Sequence, residues 1–488
     1  MSNRLEKARS FERAEERNIP AADRPLFHLS ARCGWMNDPN GFSFYNGQYH
    51  LFYQYHPYDS HWGPMHWGHA VSGDLLRWRY LPCALAPDTD YDGGGCFSGS
   101  ALTLPDGRHL LMYTGVSREG VRRVQTQNLA VGDGENYEKL PQNPVISEQA
   151  LPPGGSPADF RDPRILQRAD GGFEAFVAND CAGAGGTVLR YRSENLTDWR
   201  LAGTVLKNRN RLGLMWECPD LFRLDGTDVL LLSAQDMLPQ GFEYHNGNGT
   251  VVFLGAYDDN TGKFTPECDH AIDYGIDFYA PQTVLTPDGR RVMIGWLQNW
   301  DTCNQHFRSL PWFGQMSLPR ELHVKDGRLY QTPPHELEAL RGERVLHEAV
   351  TLENAEITLP GVQGRAADVT LTLDASGCKR FKLLFAKDGQ FHCSVTFHPA
   401  ESVLKIDRKH SGSRRAVIHQ RRARVRHENG KLRLRLILDR FSAELFVNDG
   451  EQVMSIAVDT PVSAGGIAFQ AEGSARFDVE AYQLGAHW

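Results

Sequence analysis

The strongest constraint on the fold is a repeat of short turn-and-strand segments in the first two-thirds of the chain. Each segment has an Asn-Gly or Asp-Gly dipeptide followed by a run of aromatic and branched apolar residues, which predicts a tight hairpin because that turn needs positive φ. The five turn glycines are Gly47, Gly107, Gly171, Gly226 and Gly289, spaced 60, 64, 55 and 63 residues apart. In the first four units a polar turn then leads to an aromatic residue, so each unit is interpreted as two hairpins. These aromatic residues are Trp78, Tyr137, Trp199 and Phe264.

Five units of four strands predict an all-β chain with a five-bladed β-propeller. We expect the propeller over residues 25–334, with a β-sandwich containing coincidental turns as the alternative. The alternating runs beyond it predict a linker and a C-terminal β-sandwich over residues 335–488, with a short helical linker within Gln331–Gly342. Among these runs, 370–376 and 381–389 are interpreted as separate strands. Residues 1–24 predict an N-terminal helical segment, with Leu5, Ala8 and Phe11 on one side.

Composition narrows the class of ligand and the compartment. The chain has 52 Lys and Arg against 60 Asp and Glu, and the net charge of −8 argues against nucleic acid as the main ligand. The basic stretch 414–426 is interpreted as a solvated strand face. No apolar run long enough for a membrane span occurs, so we expect no membrane association. A charged N-terminus without a signal-peptide pattern, and nine scattered cysteines without a C-x-x-C pair, predict reduced thiols and a cytoplasmic protein.

The repeat also predicts where acidic side chains meet. Counting back nine residues from the five turn glycines gives Asp38, Ser98, Asp162, Glu217 and Ala280. Equivalent positions in successive blades lie on a ring at one end of the innermost strands. We therefore expect three carboxyl groups, distant in sequence, at one mouth of the central channel.

Two kinds of chemistry use such a cluster: divalent metal binding, and glycoside hydrolysis by a nucleophilic carboxylate with a protonated acid. Aromatic residues near the same strand ends favour a carbohydrate pocket, because flat rings stack on sugar faces. They are Trp35, Tyr53, Tyr55, Trp62, Trp67, Phe97, Trp216, Tyr279, Trp296 and Trp300. The histidines between His56 and His69 match no zinc pattern, so we expect neither a metal nor a cofactor. Cys218 is interpreted as a small buried neighbour of the acids rather than a nucleophile.

Several motifs in order resemble those of glycoside hydrolase family 32, the β-fructofuranosidases. The first is Trp35–Gly41 (WMNDPNG), and the next three are Phe97–Ser100 (FSGS), Arg161–Pro163 (RDP) and Trp216–Asp220 (WECPD). Gln54, Trp62–Ala70, Phe278–Gln282 and Ser317–Leu322 also match, and Phe446–Gly450 is a weak match in the second domain. The absence of a signal peptide and the Trp62–Ala70 segment make the chain most similar to bacterial intracellular sucrose or sucrose-6-phosphate hydrolases.

The resemblance implies a retaining mechanism with three carboxylates in distinct roles. Asp38 is implied to be the nucleophile, Glu217 the acid/base, and Asp162 the residue that binds fructose hydroxyls and stabilises the transition state. A retaining mechanism requires two carboxyl groups about 5–5.5 Å apart, and ionised Asp38 and Asp162 are expected to keep Glu217 protonated. Nine further residues are expected to bind substrate: Trp35, Asn37, Gln54, Trp62, Phe97, Ser98, Arg161, Tyr279 and Trp300. Ala280 carries no chemistry, and its neighbour Tyr279 is expected to act from that blade.

The sequence thus predicts a hydrolase that releases terminal β-D-fructofuranosyl residues from sucrose, sucrose 6-phosphate or short fructo-oligosaccharides, with a small fructoside as its partner molecule. Three alternatives stay open: a fructosyltransferase with the same carboxylates, an inverting five-bladed hydrolase acting on arabinose- or xylose-based glycans, and a non-catalytic carbohydrate-binding protein. The sequence does not determine the oligomeric state.

Overall fold

The predicted β-propeller is present in the computed structural model, which describes residues 2–303, 310–412 and 418–485. Five sheets succeed one another along the chain, each beginning with its innermost strand. Blade 1 contains β1 (Gly34–Tyr45), β2 (Gln48–His56), β3 (His66–Ser72) and β4 (Trp78–Leu85). Blade 2 contains β5 (Gly95–Thr103), β6 (His109–Glu119), β7 (Arg122–Gly132) and β8 (Tyr137–Lys139). Blade 3 contains β9 (Gly155–Gln167), β10 (Phe173–Cys181), β11 (Gly185–Ser193) and β12 (Arg200–Lys207).

The last two blades follow the same order, with an insertion in the fifth. Blade 4 contains β13 (Trp216–Leu224), β14 (Thr227–Met237), β15 (Gly247–Asp258) and β16 (Lys263–Ala271). Blade 5 contains β17 (Tyr279–Leu285), β18 (Arg291–Trp296), β20 (Arg320–Lys325) and β21 (Arg328–Thr332). Within the insertion, β19 (Trp312–Phe313) returns to blade 1 and pairs in parallel with β1. This pairing joins the end of the propeller to its beginning.

The five turn glycines connect the first and second strands of their blades. All five have positive φ, between 77° and 91°, as the hairpin interpretation requires. The repeated aromatic residues lie at or beside the start of the fourth strands, where Trp78 begins β4 and Tyr137 begins β8. The internal repeat therefore gives the blade number and the strand order correctly.

Each innermost strand has a register shift at the expected ring position. The shifts fall between Met36 and Pro39, Phe97 and Gly99, Arg161 and Arg164, Glu217 and Asp220, and Tyr279 and Gln282. A bulge bends the strand and redirects side chains. Asp162, Cys218 and Ala280 have positive φ and each precedes a proline. In blade 4 the count of nine is therefore off by one residue, because Cys218 takes the backbone position of Asp162 and Glu217 precedes it.

The predicted N-terminal helix is α1 (Asn3–Glu16), which packs on the outer strand of blade 1. Leu5 and Ala8 are buried, and the ring of Phe11 contacts that of Tyr58. The buried Glu12 carboxylate accepts a hydrogen bond from the backbone N–H of Cys83 at 2.9 Å. The helix thus covers part of the exposed edge of this blade. Among the described residues no helix is long and apolar enough to cross a membrane.

The C-terminal region consists of β-strands whose apolar side chains belong mainly to one core cluster, which also includes residues of blades 3 and 4. Its strands are β22 (Arg341–Glu353), β23 (Glu356–Ile357), β24 (Ala367–Lys387), β25 (Cys393–His398), β26 (Val403–Asp407), β27 (Gln420–Arg424), β28 (Lys431–Asp439), β29 (Ser442–Val447), β30 (Gln452–Ala457) and β31 (Gly466–Leu484). β24 pairs along its length with β31, while its first half pairs with β28 and its second half with β25. These long strands join the two halves of the sandwich.

Two details of this region differ from the sequence interpretation. Residues 370–376 and 381–389 were expected to form separate strands, but most of both belong to the single strand β24, whose register shifts replace the expected turn. The helical linker is a short 3-10 helix (His335–Leu340), after which Arg341 already begins β22. Of the basic stretch, 414–417 lie outside the described residues, and Arg422 and Arg424 are exposed on β27.

The propeller and the C-terminal region contact each other through buried charges. His28 lies between the carboxylates of Asp439 and Glu444, with 2.9 Å from a ring nitrogen to each. Arg320 forms ion pairs with Glu444 at 2.6 Å and with Asp273 at 3.0 Å. These groups come from both regions, so the contact is fixed by directional bonds as well as by apolar packing.

Candidate active site

The three predicted carboxyl groups lie together at the mouth of the propeller. The thiol of Cys218 is 3.9 Å from Asp38 Oδ2 and 3.6 Å from Asp162 Oδ2, so a single small side chain touches both aspartates. Glu217 is the residue immediately before it. Asp38 and Asp162 are buried, and Glu217 retains 13% side-chain exposure. The structure therefore brings together three acids that are far apart in sequence.

Glu217 is held by three donors from three different blades. Arg161 Nε donates to Oε1 at 2.9 Å, and Tyr279 Oη and Gln235 Nε2 donate to Oε2 at 2.7 and 2.8 Å. Arg161 is itself fixed by an ion pair with Asp159 at 2.9 Å. The carboxylate is thereby oriented from both of its oxygens.

Asp38 and Asp162 have fewer donors. Asp38 accepts from Ser98 Oγ at 2.8 Å and from Asn37 Nδ2 at 3.1 Å, and Asp162 accepts from the Cys218 backbone N–H at 3.0 Å. Burial, followed by the nearby charge of Glu217, raises the pKa of Asp38 to about 6 and that of Asp162 to about 7. Arg161 opposes this increase at Asp162. Close carboxylates without enough cations favour protonation in this way.

Cys218 is a buried neighbour of the acids, as interpreted from the sequence. Burial and the adjacent carboxylates of Asp162 and Asp38 raise the pKa of its thiol well above the usual range. A thiolate nucleophile needs a lowered pKa. The thiol is therefore a neutral spacer between the two aspartates.

Four of the predicted substrate-binding residues, Asn37, Ser98, Arg161 and Tyr279, contact the carboxyl groups directly. Trp35 Nε1 donates to Asn37 Oδ1 at 2.7 Å, which leaves the Asn37 amide nitrogen for Asp38. Gln54 is buried and donates to the Cys96 carbonyl at 3.0 Å. Trp62 is 48% exposed and lies edge-on to Phe97, with 6.2 Å between ring centroids.

Apart from Trp62, the predicted aromatic set divides into two groups. Trp35, Tyr279, Trp296, Phe97 and Trp300 belong to one cluster with Cys218, and Trp35 stacks on Trp300 at 6.2 Å and 25°. The other four belong to blade cores, which corrects the expectation of one cluster: Tyr53, Tyr55, Trp67 and Trp216. Strand alternation explains this for Tyr53 and Tyr55, which flank Gln54 and face away from it.

Sequence reasoning missed Gln235 and Asp159. Gln235 lies in β14, near Ser233, the cross-strand partner of Glu217. Asp159 lies two residues before Arg161 on β9. Alternation places Asp159 on the same face as Arg161 and was an available signal.

A cluster of carboxyl groups beside a wall of aromatic side chains is typical of a carbohydrate-cleaving hydrolase. Residues 28–333 match the family model described as the glycosyl hydrolases family 32 N-terminal domain, and residues 336–483 match the glycosyl hydrolases family 32 C-terminal model. The chain therefore belongs to glycosyl hydrolase family 32. The sequence-based expectation of a fructosyl-releasing hydrolase is confirmed.

Known relatives cover nearly the whole chain. A sucrose-6-phosphate hydrolase of Zymomonas mobilis is 35% identical, covering 96% of this chain and 93% of its own. A raffinose invertase of Escherichia coli is 37% identical, with 88% of each chain covered. Among solved structures, the β-fructofuranosidase of Bombyx mori has a TM-score of 0.84 at 34% identity and covers 98% of both chains.

Proposed function

We propose that the enzyme hydrolyses sucrose, sucrose 6-phosphate or short fructo-oligosaccharides through a covalent fructosyl-enzyme, with Asp38 as nucleophile and Glu217 as acid/base. The observation that carries this assignment is the different environment of the two groups. Asp38 is buried and, in the described part of the chain, accepts hydrogen bonds from the neutral side chains of Ser98, Asn37 and, at 3.9 Å, Cys218. Glu217 is partly exposed and bound to groups that can follow a change in its protonation.

In the first step a carboxylate oxygen of Asp38 attacks C2 of the fructosyl unit while Glu217 protonates the departing oxygen. The bond from C2 to the leaving group breaks, and its electron pair stays on the oxygen that takes the proton. In the second step Glu217 removes a proton from water, which attacks C2 and restores Asp38. Asp162, one small side chain away from Asp38, binds fructose hydroxyls.

Glu217 must alternate between acid and carboxylate in each cycle, and its partners fit both forms. The Tyr279 hydroxyl, 2.7 Å away, donates to the carboxylate and can accept from the carboxylic acid. Arg161 and Gln235 hold the carboxylate produced by the first step. Tyr279 therefore serves Glu217 in addition to lining the site.

The compartment belongs to the same proposal. All nine cysteines are free, and seven of them are buried. Unpaired buried thiols are typical of a reducing environment. They support the cytoplasm as the place where the enzyme works.

Azide rescue of two variants distinguishes the two catalytic roles. With an aryl β-D-fructofuranoside, whose leaving group needs no acid, Glu217→Ala should form the fructosyl-enzyme, and azide should release β-fructosyl azide with retained configuration. Asp38→Ala should instead give the α-azide by direct displacement. The NMR spectrum distinguishes the β-azide from the α-azide. If Glu217→Ala gave the α-azide and Asp38→Ala the β-azide, the roles of the two residues would have to be reversed. Asp449→Ala, an exposed acidic site in the C-terminal region, serves as the matched control.

The anomer first released from sucrose tests the mechanism in the unmodified enzyme. A retaining enzyme gives β-D-fructofuranose first, and an inverting enzyme gives the α anomer. Oligosaccharide products at high sucrose concentration would indicate that transfer competes with hydrolysis.

A further inference from the structure

Two arginines face each other across the hairpin of blade 2. Arg118 on β6 is the cross-strand partner of Arg123 on β7, and both are exposed. Like charges directly opposite each other in a sheet are destabilising. Within the described residues neither arginine forms an ion pair. The hairpin therefore places two guanidinium groups side by side.

Arg123 lies at the edge of the active site. Its guanidinium carbon is 5.0 Å from the centroid of the Phe97 ring, and that ring contacts Trp62. Alternate residues of a strand share a face, so Arg123 shares a face of β7 with Gln125. Gln125 in turn accepts a hydrogen bond from Arg161 at 3.3 Å.

The charges around Arg123 connect it to Glu217. Partial desolvation over the Phe97 ring and the positive charge of Arg161 lower the pKa of Arg123, while Asp159 and Glu217 act in the opposite direction. Both of these carboxylates are already paired with Arg161. Among the described residues Arg123 forms no ion pair of its own, so its guanidinium can bind an anion at this edge.

The leaving group of the proposed reaction occupies this side of the pocket. Glu217 must lie beside the oxygen that it protonates, so the unit attached to that oxygen extends from Glu217 towards the mouth. A phosphate ester carries about −1.5 to −2 charges near pH 7, and a guanidinium binds phosphate through two parallel hydrogen bonds. Arg123 therefore has both the position and the charge needed to bind a phosphate group on the leaving sugar.

We propose that Arg123, assisted by Arg118, forms an anion subsite that binds the phosphate of a phosphorylated leaving sugar and so makes the enzyme prefer sucrose 6-phosphate to sucrose. This assignment rests on the proposed function, since it needs Glu217 to protonate the leaving group. Arg123 is a specificity-determining residue and takes no part in bond cleavage.

The test is the ratio of kcat/KM for sucrose 6-phosphate to kcat/KM for sucrose. We expect the wild-type ratio to exceed one, and Arg123→Ala to lower it at least tenfold, mainly through KM. Arg123→Lys should fall between the two because it keeps the charge and loses the planar fork. Arg122→Ala is the matched control, since it removes the same charge from the next residue, which forms an ion pair with Glu148. That variant should leave the ratio unchanged.

Product inhibition gives a second readout. Glucose 6-phosphate should inhibit the wild-type enzyme more strongly than glucose, and this difference should disappear in Arg123→Ala. An unchanged ratio and unchanged inhibition in Arg123→Ala would overturn the subsite while leaving the hydrolase assignment intact. Failure of the wild-type enzyme to cleave either sugar would overturn the proposed function, and this subsite with it.

Discussion

The active site and the contact between the propeller and the C-terminal region both contain buried carboxylates, but they treat the negative charge in opposite ways. At the contact, His28 lies between Asp439 and Glu444, and Arg320 also binds Glu444. In the active site Arg161 is bound to Glu217, and Asp38 has only neutral donors. Both clusters contain Asp and Glu side chains, so the difference lies in the cations and donors around them.

The pKa values follow this difference. Hydrogen bonds and charge from His28, together with backbone N–H donors, lower the pKa of Asp439 against the effect of burial. Arg320 and His28 do the same for Glu444. Burial raises the pKa of Asp38 and Asp162 instead. At the contact, Asp439 and Glu444 stabilise the fold as carboxylates, although burial raises the pKa of Asp273 beside Arg320. In the active site, ionising Asp38 and Asp162 costs stability.

The largest expected effect is on catalysis. Asp38→Asn should lower kcat by a factor on the order of 10⁴ or more, since the amide is not a nucleophile. Glu217→Gln should lower it by about 10²–10⁴, because acid/base catalysis is lost. Both variants should stay folded. Steady-state rates with sucrose, compared with circular dichroism spectra, check this, and near-wild-type turnover of either variant would refute its role.

The second effect concerns the contact. Asp439→Asn should destabilise the protein by about 3–5 kcal/mol, because it leaves His28 and four backbone N–H groups with a weaker partner. Denaturant unfolding measures this change. Asp449→Asn breaks an exposed pair with Arg433 and should cost less than about 1 kcal/mol. Equal losses of unfolding free energy in the two variants would show that the buried ion pair contributes no more to stability than the exposed one.

The pH dependence of activity sharpens the account of the nucleophile. Asp38 must be ionised to attack, and its pKa is about 6, so kcat/KM should fall with decreasing pH below about 6. Ser98→Ala removes a hydrogen bond that lowers this pKa. The acidic limb of the variant should therefore move to higher pH. A shift to lower pH would show that the limb belongs to another group.

The smallest effect is the alkaline response of the contact. Hydrogen bonds and charge from Asp439 and Glu444 raise the pKa of His28 to about 9 against burial. The folded state therefore holds a proton that the unfolded chain releases near 6.5, so this contribution to stability is complete below 6.5 and lost as the pH rises through about 9. The wild-type Tm should fall between pH 7 and 9 by on the order of 2 °C more than that of His28→Gln. If the Tm of both proteins fell equally between pH 7 and 9, the loss of stability at alkaline pH would come from other groups.

The sequence predicts the blades well because the turn glycines mark them independently of long-range contacts. Gly47 and its four equivalents need positive φ, and that requirement is local. The ring of acids follows from the same repeat. Glu217 still reaches the cluster although the count in its blade is one residue off, because its backbone neighbour Cys218 occupies the bulge.

The bulges also explain what the sequence does not predict. Counting from the turn at Gly226 without a bulge pairs Glu217 with Ala234, whereas the observed partner is Ser233. A one-residue shift in register changes the face of the sheet on which a side chain lies. Without knowledge of the bulge, the sequence therefore places Gln235 on the wrong face to contact Glu217. The buried pairing of His28 with Asp439 joins residues 411 positions apart, and no local pattern encodes it.

The most direct test of the contrast between the two clusters is the thermal unfolding of Asp162→Asn and Asp439→Asn at pH 8 and pH 5. The folded-state pKa of Asp162 is raised from 3.8 to about 7, so ionising it at pH 8 destabilises the native protein. This cost declines as the pH falls from about 7 towards 3.8 and is only partly present at pH 5. Asp162→Asn should therefore raise Tm at pH 8 and have a smaller effect at pH 5. Asp439→Asn should lower Tm at both pH values. A decrease in Tm for both variants at pH 8 would contradict the account.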